Sequence, residues 1–377
     1  MRVLVVSGIW PPDVGGPASH APAVAAFLSA RGHGVEVVTT ASREPEPQPY
    51  PVAWTSRRLP RGLRHAAVTT LVARRARGAD VVYATSMVRR AAAAAALARR
   101  PHVVKLVADE AYERACRSGR FSGSLEDFQR VRGDARVRAL RRTRDRALRR
   151  AAHVFCPSAY LREIALGWGI DPALVSVLPN PAPPLPALPP RDELRRQFGM
   201  AGPTLAFAGR LTGQKALGVA LTAVEAVPDV SLVVLGDGPE RERLEQRAAA
   251  LGLDGRVRFL GGGGRDDVLR LFRAADAALL SSAWENFPHS VVEALAVGTP
   301  VIATAVGGVP EVVREGENGL LVPPGDADAL AAAIRRLLDE DGLRDRLAAA
   351  AAPSVEPLAE ERVLGRVEEA LLQAARR

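Results

Sequence analysis

Two glutamates eight positions apart, Glu285 and Glu293, flank the segment Asn286-Phe287-Pro288-His289-Ser290-Val291-Val292. The apolar run before them, 276–281, reads as a strand, and Pro288 suits the first position of a helix, where its missing N–H costs nothing. That places Glu285 in a loop at a strand end and Glu293 inside a helix. A helix amino terminus offers unpaired N–H groups and a partial positive charge, so the amides near Ser290 and Val291 form a site for phosphate. Carboxylates beside an anion site repel phosphate but accept hydrogen bonds from sugar hydroxyls. A pyrophosphate with a sugar at each end fits that layout.

A second set of charges follows the apolar run 204–208: Gly209, Arg210 and then Lys215. Guanidinium binds phosphate bidentately and ammonium acts as a mobile point charge, so together they can offset the charge on a departing diphosphate. The turn is not a P-loop, because the Gly209–Gly213 spacing is too short and Gln214 separates Gly213 from Lys215. Gly236 and Asp237 end another apolar run, either beside a ligand or as a plain strand-to-helix turn, for which both residue types are suited. Gly15 and Gly16, after the first apolar run, let a ligand approach the backbone closely. Asp109 ends the run 102–107 and is a candidate to orient or deprotonate a hydroxyl; the competing reading is a helix N-cap, since Asp109-Glu110-Ala111-Tyr112-Glu113 is a good capping sequence.

The elements that must position these residues alternate between strand and helix patterns. Strands are expected at 2–7, 35–40, 80–84 and 102–107, with a helix over 17–30; alternation of this kind implies a parallel sheet covered by helices. Residues 179–190 hold seven prolines in twelve positions, which excludes helix or central strand and reads as an interdomain linker. The alternation then restarts, with strands at 204–208, 231–235 and 256–260. The expected organisation is a first domain over 1–180, a linker over 181–190, a second domain over 191–352 and an appended helix over 353–377. Ligands of such sheets bind beyond the carboxyl ends of the strands.

A chain of 377 residues with 47% hydrophobic content can bury two such cores. Cys116 and Cys156 have no metal-ligand spacing and form no disulfide scaffold, so a reducing cytoplasm is the expectation. The first residues are too short an apolar run for a signal peptide, and no run approaches the roughly 18 residues of a membrane span. Net charge is +9, and residues 111–150 hold 13 Arg against 5 Asp plus Glu. On a helix through 137–151, Arg144 falls within the apolar stripe of Val137, Leu140, Leu148 and Ala151, either as a buried pair or pointing at an acceptor. With Arg138, Arg141, Arg142 and Arg149 it makes a basic patch: a solvated helix face, or a surface for a phosphate-bearing or lipid-linked acceptor or for the inner membrane face. Nucleic acid is not expected, because aromatic residues are not interleaved with these arginines.

Taken in order, Pro11-Pro12-Asp13-Val14-Gly15-Gly16, Arg31-Gly32-His33, Gly209-Arg210-Leu211 with Lys215, the Glu285–Glu293 segment, Gly298-Thr299-Pro300-Val301-Ile302-Ala303 and Gly307-Gly308-Val309-Pro310-Glu311 resemble the retaining glycosyltransferases of family 4. Each piece is weak alone, and their order is specific. Asn286 and Ala216 depart from the pattern, which has Gly at both places. The resemblance implies a GT-B fold: two Rossmann-like, doubly wound parallel-sheet domains facing a central cleft, with the terminal helix crossing back to the first domain. It implies a nucleotide-sugar donor, most often UDP-linked, a hydroxyl acceptor, retention at the anomeric carbon, and no metal or other cofactor. It places ribose hydroxyls on Glu293, the transferred sugar on Glu285, phosphates on Arg210 and Lys215, and the nucleoside beside Gly236 and Asp237. Gly15, Gly16, Gly209, Asn286, Phe287, Pro288, Ser290 and Val291 would complete the donor surface. The rival readings are a nucleotide-sugar epimerase of the same fold and a non-catalytic binder of polyanions or membrane surfaces.

Overall fold

The computed structural model describes residues 1–11 and 16–376. The chain divides into two compact units, residues 1–180 with 361–377, and residues 181–360.

The first unit is built on seven strands: β1 (Arg2–Ser7), β2 (Gly34–Ala41), β3 (Val52–Ser56), β4 (Val81–Ala84), β5 (His102–Lys105), β6 (His153–Cys156) and β7 (Val175–Val177). They pair in the order β3-β2-β1-β4-β5-β6-β7, every pair parallel. Every residue of β4 and β5 is buried, as a sheet covered on both faces requires. The terminal helix Glu360–Ala375 lays Val363, Leu364, Val367 and Leu371 against Val3, Trp10 and Leu28 of this unit. Each such side chain stabilises the docking by about 1.5–3 kcal/mol. Glu368, buried on the same helix, accepts from Arg31 at 2.8 Å and meets His33 Nε2 at 2.7 Å.

The second unit has six strands: β8 (Thr204–Ala208), β9 (Ser231–Leu235), β10 (Val257–Gly261), β11 (Ala277–Leu280), β12 (Val301–Thr304) and β13 (Gly319–Val322). Their order is β10-β9-β8-β11-β12-β13, again all parallel. Successive residues of a strand feed opposite faces: Ala206, Val233 and Ala278 enter one core cluster, while Leu205, Leu232 and Leu279 enter the other. In both sheets the strand order reverses at one place, between β1 and β4 and between β8 and β11. Such a switch point opens a crevice at the carboxyl ends of the strands.

Asp276 fixes the opposite end of the second sheet. Its carboxylate accepts from Arg191 at 2.7 Å, Arg195 at 3.1 Å, Arg344 at 2.9 Å and the amide of Thr204 at 2.8 Å. Burial pushes this carboxyl up, but the Thr204 hydrogen bond and the arginines hold it below the usual range. Residues 353–360 stay with this unit, a correction to the boundary expected at 353. The helix Leu343–Val355 runs through Pro353, Val355 is buried, and Asn318 donates to Ser354 at 2.8 Å. Among the described residues no helix is long and apolar enough to cross a membrane.

Candidate active site

The turn after β8 and the loop after β11 meet across the switch point of the second unit. Ser281 donates to the Lys215 carbonyl at 2.9 Å, Gln214 donates to the Trp284 carbonyl at 3.1 Å, and the Ala283 amide donates to the Gln214 carbonyl at 2.8 Å. These three bonds bring Lys215 and Glu285 together: the ammonium lies 2.5 Å from Glu285 Oε1, with side chains 16% and 7% exposed. Ser282 donates to the same carboxylate oxygen at 2.8 Å. The result is a half-shielded ion pair at the strand ends, where a weak dielectric strengthens its field.

Pro288 caps the helix His289–Ala296 rather than occupying its first position, and its own side chain makes no capping hydrogen bond. The first amides of this helix therefore keep the partial positive charge expected of them. Phe287 and Val291 send their side chains into the core, so they can serve a ligand through their backbone. Glu293, one turn further on, is 15% exposed, and Arg265 Nε lies 3.5 Å from its Oε1. Burial pushes the Glu293 carboxyl above the usual carboxylate range, while Arg265 and Lys215 pull it partway back. Arg265 is a member of this charge cluster that sequence reasoning missed. Its place directly after Gly261–Gly264, at the start of the helix Arg265–Ala274, was the available signal.

The two glycine turns are locked together by backbone. Leu211 donates to the Asp237 carbonyl at 2.9 Å, and Gly209 donates to the Leu235 carbonyl at 3.1 Å. A Cβ on Gly236 would sit 1.9 Å from the Gly209 oxygen, and one on Gly238 would sit 2.3 Å from the Leu211 oxygen. Close approach of the backbones accounts for these glycines whether or not a nucleoside lies beside them. The Asp237 side chain is 64% exposed and folds onto its neighbour, accepting from Gly238 N at 2.7 Å. Arg210 is exposed on the same turn. Ala216 holds a left-handed conformation, φ +46° and ψ +36°, where the family pattern has Gly.

In the first unit, Gly15 lies outside the described residues and Gly16 opens the helix Gly16–Ala30. Two expectations are corrected there. Strand β5 stops at Lys105, so Asp109 does not end it; Asp109 is the N-cap of the helix Glu110–Arg117. Its side chain is fully buried, accepts from Ala111 N at 2.8 Å and Gln129 at 3.2 Å, and pairs with Arg144 at 2.5 Å. Both oxygens are engaged, which leaves Asp109 a structural group rather than a base for an acceptor hydroxyl. Arg144 in turn is 6% exposed and stacks 3.7 Å from the Trp168 ring centroid, so it cannot belong to an anionic-surface patch.

The rest of that patch is partly tied down. Arg138 donates to the Gly133 carbonyl at 2.9 Å, Arg149 to the Trp168 carbonyl at 2.8 Å, and Arg141 to the carbonyls of Val131 and Phe128. Arg142 is exposed.

Two doubly wound parallel-sheet units, the second with cations, acids and a helix start gathered at its switch point, are the layout of the GT-B fold. HepE from Anabaena, solved in complex with UDP-glucose, superposes with a TM-score of 0.80 at 24% identity, covering 99% of this chain and 100% of that one. The model for "Glycosyl transferases group 1" matches residues 190–353, and that for "Glycosyl transferase 4-like domain" matches residues 15–181. The chain belongs to the group 1 glycosyltransferase family. The lipopolysaccharide core biosynthesis glycosyltransferase LpsE of Rhizobium meliloti is 40% identical over 146 residues, 39% of this chain and 42% of that protein. A D-inositol 3-phosphate glycosyltransferase of Mycobacterium marinum is 40% identical over 178 residues, 45% of this chain and 38% of that protein. The matches span about two fifths of each relative's length.

Proposed function

We propose that this protein transfers a sugar from a nucleotide diphosphate sugar to a hydroxyl acceptor, with retention at the anomeric carbon and without a metal. The observation that carries the reading is the Lys215–Glu285 pair at the switch point, with Glu293 and the helix start after Pro288 beside it. The diphosphate of the donor carries two negative charges, which Lys215, Arg210 and the first amides of His289–Ala296 can offset. Glu293 accepts from ribose hydroxyls. Glu285 lies by the transferred sugar, where its charge stabilises an oxocarbenium-like transition state.

The acceptor oxygen attacks C1 on the face the diphosphate leaves. The C1–O bond to phosphate breaks, the new glycosidic bond forms, and the acceptor's proton passes to the leaving phosphate oxygen. This route needs no protein base, which agrees with the engagement of Asp109 elsewhere. UDP is the proposed nucleotide, supported by the UDP-glucose bound to HepE.

The test is an incubation of purified protein with UDP-glucose and a panel of hydroxyl acceptors, with the product's anomeric configuration read by NMR. An α-linked product that forms equally well in EDTA supports the reading. An inverted product, or an epimer formed without acceptor, contradicts it.

A further inference from the structure

The carboxyl-end edge of the first unit's sheet carries positive charge that its own contacts do not balance. Arg64 lies in the first turns of the helix Arg61–Ala76 after β3, Arg89 and Arg90 in the first turn of the helix Val88–Ala98 after β4, and Arg114 on the helix Glu110–Arg117 after β5. In a parallel sheet these helix starts gather at one end. Arg89 and Arg114 share a single carboxylate, Glu110, at 3.8 and 3.6 Å. Arg89 also donates to Thr143 at 3.1 Å, and Arg64 to the Arg57 carbonyl at 2.9 Å; neither partner carries charge to offset theirs.

The guanidiniums act on one another. Burial and Arg114, then Arg89 and Arg64, hold Arg90 below its ordinary value against the pull of Glu110. Burial and the same four arginines hold His65 down. The helix Val88–Ala98 adds its own partial charge: Met87 precedes it in a left-handed conformation, and the Met87 side chain makes no capping hydrogen bond. Four part-exposed guanidiniums face Glu110, shared by Arg89 and Arg114, and Glu113, divided between Arg114 and Arg117; the excess positive charge is a standing repulsion, and a bound anion removes it.

We propose that Arg64, Arg89, Arg90 and Arg114 form a binding site for a phosphate monoester borne by the acceptor. This rests on the transfer reading and names the class of acceptor within it. A phosphate offers oxygens to several guanidinium forks at once, whereas a neutral sugar supplies no counter-charge and an amino sugar is repelled.

Calorimetric titration of the full chain with glucose 6-phosphate reads the site, with UDP at saturation so that the donor position is filled. Expected is binding that weakens with salt and falls about 10-fold or more in the Arg90→Gln/Arg114→Gln variant, with UDP affinity unchanged. Glucose and glucosamine are expected to bind far more weakly, and Arg114→Lys to keep part of the affinity. Vesicles containing phosphatidic acid, titrated in parallel, separate a lipid-borne phosphate from a soluble one; loss of either binding in the double variant upholds the site. Glucose 6-phosphate binding no tighter than glucose together with no vesicle binding, or binding unchanged in a folded double variant, overturns the proposal. Failure of UDP itself to bind would contradict the donor reading alone, because the phosphate titration reads Arg90 and Arg114 directly.

Discussion

Lys215 and Glu285 stand seventy positions apart in sequence, yet their charged ends lie 2.5 Å apart, joining the turn after β8 to the loop after β11. The ammonium keeps 16% of its side chain exposed, so on the proposed reading a donor diphosphate would share it with the carboxylate. Lys215→Ala and Glu285→Gln are each expected to lower turnover roughly 100- to 1,000-fold, the scale for one preorganised charge, and Arg210→Ala to fall in the same range. Because Lys215 and Glu285 act through one contact, the double variant should lose less than the product of the two single losses. Steady-state rates of wild type, the three single variants and the double variant check this. Fully multiplicative losses would show the contact to be incidental.

Ala216 sits where a side chain is disfavoured, at φ +46° in the turn that carries Lys215. Relief of the left-handed penalty outweighs the added chain entropy of glycine, so Ala216→Gly should stabilise by about 0.5–1 kcal/mol. A thermal melt measures it, and a lower Tm in the variant would mean that the Cβ has a packing role there.

Asp109→Ala removes an N-cap and one of the two carboxylates on the buried Arg144 guanidinium, which keeps Asp145 at 2.8 Å. Losing the cap and one charged hydrogen bond costs about 1–3 kcal/mol. Denaturant unfolding should show that loss, while the rate per folded molecule stays near wild type. A stable Asp109→Ala protein with no transfer activity would restore Asp109 as a catalytic group.

The terminal helix is held partly by Glu368. Burial pushes its carboxyl up, but hydrogen bonds from His33 and Arg31 outweigh this and leave it below the usual value. A depressed carboxyl stabilises the fold above its unfolded value, about 4.3, and loses that contribution as pH falls through the lower folded value. Wild type should therefore melt above Glu368→Gln at pH 7, and the gap should close toward pH 3. An unchanged gap across that range would remove charge from the explanation.

The alternation of apolar runs showed both sheets in the sequence, because fully buried parallel strands such as β4, β8 and β11 have no polar face to obscure the pattern. β7, three residues long, carries too little pattern to recognise. Arg144 in an apolar stripe pointed to burial; its partner Asp109 is 35 positions away, so only the fold identifies the pair. The same holds for Arg265 and Glu293, on different helices. The basic run 130–150 was legible as charge, but the carbonyls that hold Arg138, Arg141 and Arg149 depend on backbone geometry that composition does not carry.

The central claim is that the second unit holds a nucleoside diphosphate with its ribose on Glu293. Calorimetric titration of UDP into wild type, Glu293→Gln and Glu285→Gln tests it most directly. Because burial raises the Glu293 carboxyl, the acceptor form is lost on acidification at a higher pH than for an ordinary glutamate, so wild-type affinity should start to fall above the usual carboxylate range. Glu293→Gln should bind UDP about 10-fold or more weakly near neutral pH and lack that acid limb, with Glu285→Gln close to wild type. UDP affinity that falls in Glu285→Gln and is unchanged in Glu293→Gln, at every pH, would contradict the account.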